Sequence, residues 1–317
     1  MSTLRTYSWD DAGSPGRNLT GNYQNKIKQI LKACLIDGYG DKLAAGWEMV
    51  HEHPNGFSMT NGDGYINLVS GLAGMSDRSI HIYQVLSVTG TTGAILEGEG
   101  LCSGDYHQDR SETGSRHMIS LASVLSSPAL TRWLVVADHK TCILAIYRSS
   151  GFYEWETLYF GNTKPLTIDG SSEFVVLGGL KYSSASYDPS HFFKDGTIAT
   201  DPGTGLVNLT GEMPTTIYSK SSSGLSPELH SIDTQALSEF SLSPDFAVFN
   251  NKIFGYLRGV AVSIPLRHAL KGQSYLALGL PNTDDSILKV SEIDGYKFMC
   301  FQPLVSGVFL TDDVRFW

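Results

Sequence analysis

The sequence lacks long apolar runs, an excess of basic residues and a cleavable leader pattern. No run approaches about 18 apolar residues, so no membrane span is predicted. The formal net charge is −9, which argues against nucleic acid as the main partner because such surfaces are basic. The opening stretch, MSTLRTYSWDDAGSPG, has no apolar segment typical of a signal peptide. The chain is therefore expected to be made as a soluble protein in the cytoplasm.

Closely spaced cysteines and common catalytic motifs are also missing. The four cysteines contain no CxxC pair, which gives little support to a zinc or thioredoxin-like site: Cys34, Cys102, Cys142 and Cys300. Their contexts favour reduced thiols that pack as small apolar groups, with a disulfide left open as the alternative. No GxSxG, P-loop, HExxH or strand-linked GxGxxG motif occurs. We predict no catalytic residue, no cofactor and no metal site, and we expect the chain not to be an enzyme.

The composition favours a β-rich fold. Charged residues make up 17% of the chain, hydrophobic residues 41%, and 33 of the 317 residues are glycine. Low charge combined with many glycines is typical of short strands joined by turns. We predict a mainly β fold, with sandwich- or barrel-like packing of short strands and one N-terminal amphipathic helix.

The helix is predicted from the stretch IKQILKACLIDGYG, which begins at Ile27. Its apolar residues recur at helical spacing and form one stripe: Ile27, Ile30, Leu31, Cys34 and Leu35. Gly38 and Gly40 supply the positive φ that ends a helix. These features predict a helix over residues 22–36.

The clearest strands lie in the stretch RWLVVADHKTCILAIYR. Residues 131–138 and 141–148 are nearly continuous apolar runs on either side of a short turn. Because they show no polar alternation, we predict two central strands that are buried on both faces.

Composition divides the chain into four parts. Residues 1–21 form an extended N-terminal arm, predicted to dock on a neighbouring subunit and to order on assembly. Residues 22–182 form a helix plus β domain. Residues 183–246, rich in Ser, Gly, Pro and Thr, form a loop-rich connecting segment. Residues 247–317 form a C-terminal β region that completes the fold.

Three blocks together resemble a known family. They are IKQILKACLIDGYGDKLAAGW; RWLVVADHKTCILAIYR with the later LYFGN; and KIFGYLRGVAVSIPLRHALKGQSYLAL with the later DGYKFMCFQ. In order and rough spacing, over most of residues 25–300, they are similar to virion structural proteins of contractile-tailed bacteriophages and Mu-like prophages. Asn162 departs from the family pattern, which often has Asp there.

The resemblance implies a multi-copy component of the tail, baseplate or neck, located in the virion. It also implies partners among copies of the same chain and among other phage proteins of the sheath, tube, baseplate or neck. By analogy with the family, Arg258 and Arg267 are candidate interface residues that pair with acidic groups of a neighbour.

An aromatic cluster supports two interpretations: Phe152, Tyr153, Trp155, Tyr159 and Phe160. Such rings stack on sugars in a receptor-binding protein of the tail tip, which is the alternative function. More often they alternate between the core and a subunit contact. On the second interpretation, Trp155 and Tyr159 are candidate interface residues.

Three histidine-containing features are weaker candidates. His107 lies between Asp105 and Asp109 in a polar stretch, where a metal site, or the acid–base pair of a hydrolase, is the functional alternative to a solvated loop. His51 and His53 share one face of a predicted strand, as in β-strand metal sites, but no second cluster completes the ligand set. We interpret His139, at a hairpin tip, as a turn residue.

Overall fold

A computed structural model describes thirteen stretches of the chain: residues 4–16, 19–70, 79–99, 119–122, 130–149, 153–166, 172–178, 195–198, 242–249, 252–263, 288–293, 295–301 and 308–317. Within them the fold is mainly β with one N-terminal helix, which confirms the predicted fold class. The first nine strands are β1 (Arg5–Ser8), β2 (Glu48–His53), β3 (Gly56–Thr60), β4 (Tyr65–Val69), β5 (Ser79–Val85), β6 (Ser87–Thr92), β7 (Ile95–Glu99), β8 (Ile119–Ala122) and β9 (Leu130–Ala137). The others are β10 (Thr141–Ser149), β11 (Tyr153–Asn162), β12 (Phe174–Gly178), β13 (Asp195–Ile198), β14 (Leu242–Phe249), β15 (Lys252–Ser263), β16 (Leu288–Ile293), β17 (Tyr296–Phe301) and β18 (Val308–Thr311).

The helix α1 spans Tyr23–Lys32 and continues as a π-helical turn, Ala33–Asp37. Asn22 caps its N-terminus, because its side-chain oxygen accepts a hydrogen bond from Asn25 N at 2.9 Å. Gly38 follows with φ 77°, so the predicted helix and its glycine stop are confirmed. The predicted apolar stripe is fully buried: Ile27, Ile30, Leu31, Cys34 and Leu35.

The first sheet has the strand order β1-β9-β10-β11-β12-β13, and all of its pairs are antiparallel. The described side chains of β9 from Trp133 onward, and those of β10 from Thr141 to Ile146, are buried on both faces. This confirms the two central strands predicted from the apolar runs. One face belongs to the main hydrophobic core, and on the other face the Tyr159 hydroxyl contacts β15.

The second sheet, β2-β3-β4-β5-β8, shares that core with the first sheet and α1. A separate hairpin, β6-β7, packs on its other face. Asn67 holds the hairpin there, because its Nδ2 donates to Ala94 O at 3.0 Å and its Oδ1 accepts from Leu96 N at 3.2 Å. The layering of sheets agrees with the predicted sandwich-like packing.

The third sheet has the order β14-β15-β18-β17-β16 and ends in a 3₁₀ turn at Val314–Phe316. Its first strand begins at Leu242, inside the segment predicted as loop-rich. Of that segment, residues 183–246, only 195–198 and 242–246 lie in the described part of the chain. A β-bridge between Lys164 and Tyr256 connects this sheet to the end of the first one.

The predicted N-terminal arm folds onto its own chain. Residues 5–8 form the edge strand β1, in register with β9 from Arg5 opposite Ala137 to Ser8 opposite Leu134. The Tyr7 side chain is completely buried in the main core. Burial of an aromatic side chain of this size is favourable in free energy, and this explains why residues 5–8 pack against the rest of the chain.

Candidate functional site

The turn between β9 and β10 carries a buried carboxylate. The Asp138 side chain is 4% exposed, and its Oδ1 accepts hydrogen bonds from Lys140 N and Thr141 N, both at 2.8 Å. A short carboxylate that binds backbone amides two and three residues ahead stabilises a tight turn. His139, at the tip, is about half exposed, in agreement with its interpretation as a turn residue.

Arg258 on β15 pairs with this carboxylate. Its Nη2 contacts Asp138 Oδ2, and its backbone N donates to the Tyr159 hydroxyl at 3.1 Å. That hydroxyl donates in turn to Asn162 O at 3.1 Å. Burial raises the pKa of Tyr159 far above its usual range, so the phenol stays protonated and remains a donor.

The C-terminal turn covers the other side of Arg258. The ring of Trp317 lies with its centroid 5.9 Å from the guanidinium carbon, within cation–π range. Gly259, beside Arg258, has φ 70°, and a Cβ built there would overlap the Trp317 ring. Glycine is therefore required at the second position of the Arg-Gly pair both for its backbone conformation and for space.

The tryptophan of the AGW stretch reaches the same turn. Trp47 Nε1 donates to Asp138 O at 3.0 Å, although the two residues are 91 positions apart. The Trp47 ring also packs edge-on against Phe160, with centroids 5.1 Å apart and planes at 82°. The tryptophan thus connects the start of β2 to β9 and β11.

A second turn, residues 61–64, closes the cluster. Asn61 Nδ2 donates to Lys140 O and to Asn162 Oδ1, each at 2.6 Å, and the Lys140 ammonium pairs with Asp63. Thr141 Oγ1 donates to Asn162 O at 2.8 Å. The side chain at position 162, where the resembled family often has Asp, is an amide whose oxygen accepts from another amide.

We call this arrangement the Asp138 cluster, and its core members are Trp47, Asp138, Tyr159, Asn162 and Arg258. It joins the three sequence blocks that carry the family resemblance, each of which contributes at least one of these side chains. Its groups are engaged with one another in hydrogen bonds and an ion pair, except that Arg258 Nε is buried with no hydrogen-bond partner among the described residues. Chemically, the arrangement holds three sheets together.

The predicted interface residues have different outcomes. Tyr159 is completely buried within the chain, and Arg258 pairs with the chain's own Asp138; their roles at an interface stay predictions. Trp155 lies on β11 opposite Tyr147, and its side chain is outside the described part. Arg267 lies outside the described residues altogether.

The aromatic cluster is only partly described. Phe160 is completely buried, as Tyr159 is, and it belongs to the main core. Phe152 and the side chain of Tyr153 lie outside the described part. Two of the five rings are therefore core residues.

The paired histidines do not form a metal site in the described residues. The His51 and His53 rings share a face, with centroids 6.4 Å apart, but His51 Nε2 lies 2.9 Å from Gly93 O and His53 Nδ1 accepts from Asn55 N at 3.1 Å. No group of three or more His, Cys, Asp or Glu side chains in the described stretches is placed to hold a metal ion. Asp105, His107 and Asp109 lie outside those stretches.

Two of the four cysteines are described, and both are buried free thiols, Cys34 and Cys142. Burial raises the pKa of each well above its usual range, so they are packing groups rather than nucleophiles. Cys102 lies outside the described residues, as does the side chain of Cys300.

A second polar cluster, around Asp11, has no counterpart in the sequence predictions. Asp11 Oδ2 accepts from Ser8 N at 2.6 Å, from Lys42 Nζ at 2.6 Å and from the Tyr39 hydroxyl at 2.7 Å. Burial alone would raise the pKa of Asp11, but the hydrogen bonds and the Lys42 charge outweigh it and lower the pKa. No local pattern predicts these contacts, because two of them span about thirty residues.

Comparisons with known proteins add no family assignment: no family model matches the chain, and no curated protein matches it significantly. Within the described residues, no helix combines the length and the apolar character needed to cross a membrane.

Proposed function

We propose that this chain is a structural component of a bacteriophage virion, assembling as multiple copies in the tail, baseplate or neck of a contractile-tailed particle. Its partners would be copies of itself and neighbouring sheath, tube, baseplate or neck proteins. The proposal rests on the resemblance of three separated sequence blocks to such proteins.

One structural observation supports it. The three blocks meet at the Asp138 cluster, where Trp47, Asp138 and Arg258 are in direct contact. Their contact means that the three blocks belong to one structural unit, as expected if they are the parts that a family of such proteins shares.

The chemistry of the cluster fits an assembly role. Ion-paired and hydrogen-bonded side chains buried between sheets give a chain one defined shape, which every copy in a ring must share. The alternative, a carbohydrate-binding tail-tip protein, relied on the aromatic cluster, and the burial of Tyr159 and Phe160 leaves fewer rings available for a sugar.

The experiment is to purify tailed particles from cells that carry the gene and to quantify peptides of this chain against those of the particle's other proteins. We expect several copies per particle, retained through density-gradient purification. Binding of the isolated chain to a glycan array would favour the alternative. Recovery of the chain only in the particle-free fraction would contradict the structural role.

A further inference from the structure

Residues 5–16, which we call the clasp, hold their shape through bonds among themselves. Asp11 Oδ2 accepts from Ser8 N at 2.6 Å, and Asp11 N donates to Ser8 O at 3.2 Å. Ser14 Oγ donates to Trp9 O at 2.9 Å. The clasp is therefore a small folded unit and not a single extended strand.

The clasp docks through contacts with two other segments of the chain. Besides the β1–β9 pairing, the Tyr7 hydroxyl donates to Leu43 O at 2.8 Å. Lys42 Nζ and the Tyr39 hydroxyl both bind Asp11, at 2.6 and 2.7 Å. Each of these contacts needs the docking surface, but none needs that surface to belong to the same chain.

The connection between the clasp and the rest of the chain is short and begins and ends near glycines. Gly16 accepts from Trp133 Nε1 at 3.0 Å and has φ 65°, and Gly21 has φ 88° just before the helix begins at Tyr23. Glycine takes up left-handed and extended conformations at similar cost, so a change of direction at these positions costs little free energy.

We propose that the clasp is exchanged between copies of this chain, so that it docks on β9 and on residues 39–43 of a neighbouring copy. This deepens the proposed multi-copy role and rests on it. The same hydrogen bonds and the same buried Tyr7 are formed in the exchanged and the unexchanged states, so exchange adds a link at low cost. Each β9 keeps an edge partner, which avoids exposing an apolar strand edge.

The geometry of exchange predicts the type of assembly. Reciprocal exchange between two copies gives a dimer, whereas exchange in one direction around a circle gives a closed ring. A ring is the form that a tail, baseplate or neck component needs.

The test uses two single-cysteine additions at paired positions, Thr6→Cys in one chain and Val136→Cys in another, since Thr6 and Val136 are Cα partners. The two full-length variants are mixed, refolded together at high concentration and oxidised. We expect a disulfide-linked heterodimer whose fraction rises with protein concentration, because exchange is bimolecular and docking within one chain is not. Mass spectrometry of the linked peptide identifies the two engineered positions.

A matched control uses Glu48→Cys with Thr60→Cys, which are also Cα partners but belong to the tight β2-β3 hairpin. A hairpin closed by two residues does not exchange, so this mixture is expected to give no linked heterodimer. Ser8→Cys with Leu134→Cys supplies a second clasp pair. The proposal is overturned if neither clasp pair links two chains.

The outcome is separable from that of the proposed function. Particles that contain many copies of the chain, combined with no clasp linkage, would leave the virion role standing and remove the exchange. Clasp linkage in a chain that is absent from particles would support the exchange and contradict the virion role.

Discussion

At the scale of single residues, Asp138 connects three separate segments of the chain. It ends one strand, orders the following turn and neutralises Arg258 from another sheet. Trp47 binds its backbone carbonyl from a third segment. A substitution of Asp138 is therefore expected to weaken the contacts among all three sheets.

We predict that Asp138→Asn lowers the free energy of unfolding by about 3–5 kcal/mol, because it leaves the mostly buried Arg258 without its counter-charge while keeping an oxygen for the turn. Urea denaturation measures the change. Adding Arg258→Met should recover part of the loss, and His139→Ala, at the exposed tip, should have little effect. An unchanged urea midpoint for Asp138→Asn would contradict the assigned role.

Gln24 is a polar residue whose side chain is buried without hydrogen bonds in the described part of the chain. Neither its Nε2 nor its Oε1 has a hydrogen-bond partner, and the residue is completely buried. We predict that Gln24→Leu raises the free energy of unfolding by about 1–3 kcal/mol, since the desolvation cost disappears. Gln29→Leu is the control, because Gln29 Nε2 donates to Thr20 O at 2.7 Å and loses that bond. A lower melting temperature for Gln24→Leu would show that the amide is satisfied after all.

Asp11 predicts a dependence of stability on pH. Its pKa is lowered in the folded chain, so the carboxylate stabilises the fold above the unfolded-state pKa of about 3.9, and this contribution is lost as the pH falls through the folded-state pKa. We expect Asp11→Asn to reduce the free energy of unfolding at pH 7 and to match the wild type in strong acid. Urea midpoints measured from pH 7 downward test this. A constant difference across that range would show that the Asp11 charge is not responsible.

At the scale of elements, the close approach of β11 to the β9–β10 turn depends on glycine. Gly161 has φ 124°, and a Cβ there would overlap the Lys140 carbonyl. We predict that Gly161→Ala costs more stability than Gly62→Ala, which has a similarly left-handed φ of 90° but no atom within 4 Å of its Cβ position. Positive φ costs an alanine on the order of 1 kcal/mol or more at either position, so the difference in melting temperature measures the crowding at Gly161 together with its larger departure from the left-handed region. Equal effects would contradict the close approach.

Elements with a strong local pattern were predictable. The apolar residues from Ile27 to Leu35 recur at the helical period, which predicts a helix buried on one face. The run WLVVA has no polar alternation, which predicts a strand buried on both faces. The pairing partners were not predictable, because strand order depends on contacts between segments far apart in the chain. The edge strand β1 is an example, because its residues are mostly polar and Tyr7 is the only one of the four that is buried.

At the scale of the whole molecule, the layered arrangement predicts an order of local stability. Amide hydrogens at the centres of β9 and β10 should exchange slowest with solvent, because both faces of these strands are buried and both edges are paired. The β6-β7 hairpin should exchange faster, since its tip is exposed. Hydrogen exchange followed by mass spectrometry gives the ranking, and faster exchange at Val135 than at Thr91 would contradict it.

The sequence by itself determined the class of fold, through the composition of the whole chain. It also determined the helix with its glycine stop and the two central strands, because each of these elements depends on a pattern within about fifteen neighbouring residues. The tertiary structure alone decided that Trp47, Asp138 and Arg258 meet, that Tyr159 is a core residue and that residues 5–16 close the edge of β9. These outcomes depend on which distant surfaces bury each other best. That is a property of the packed chain, and no single stretch of it carries the information.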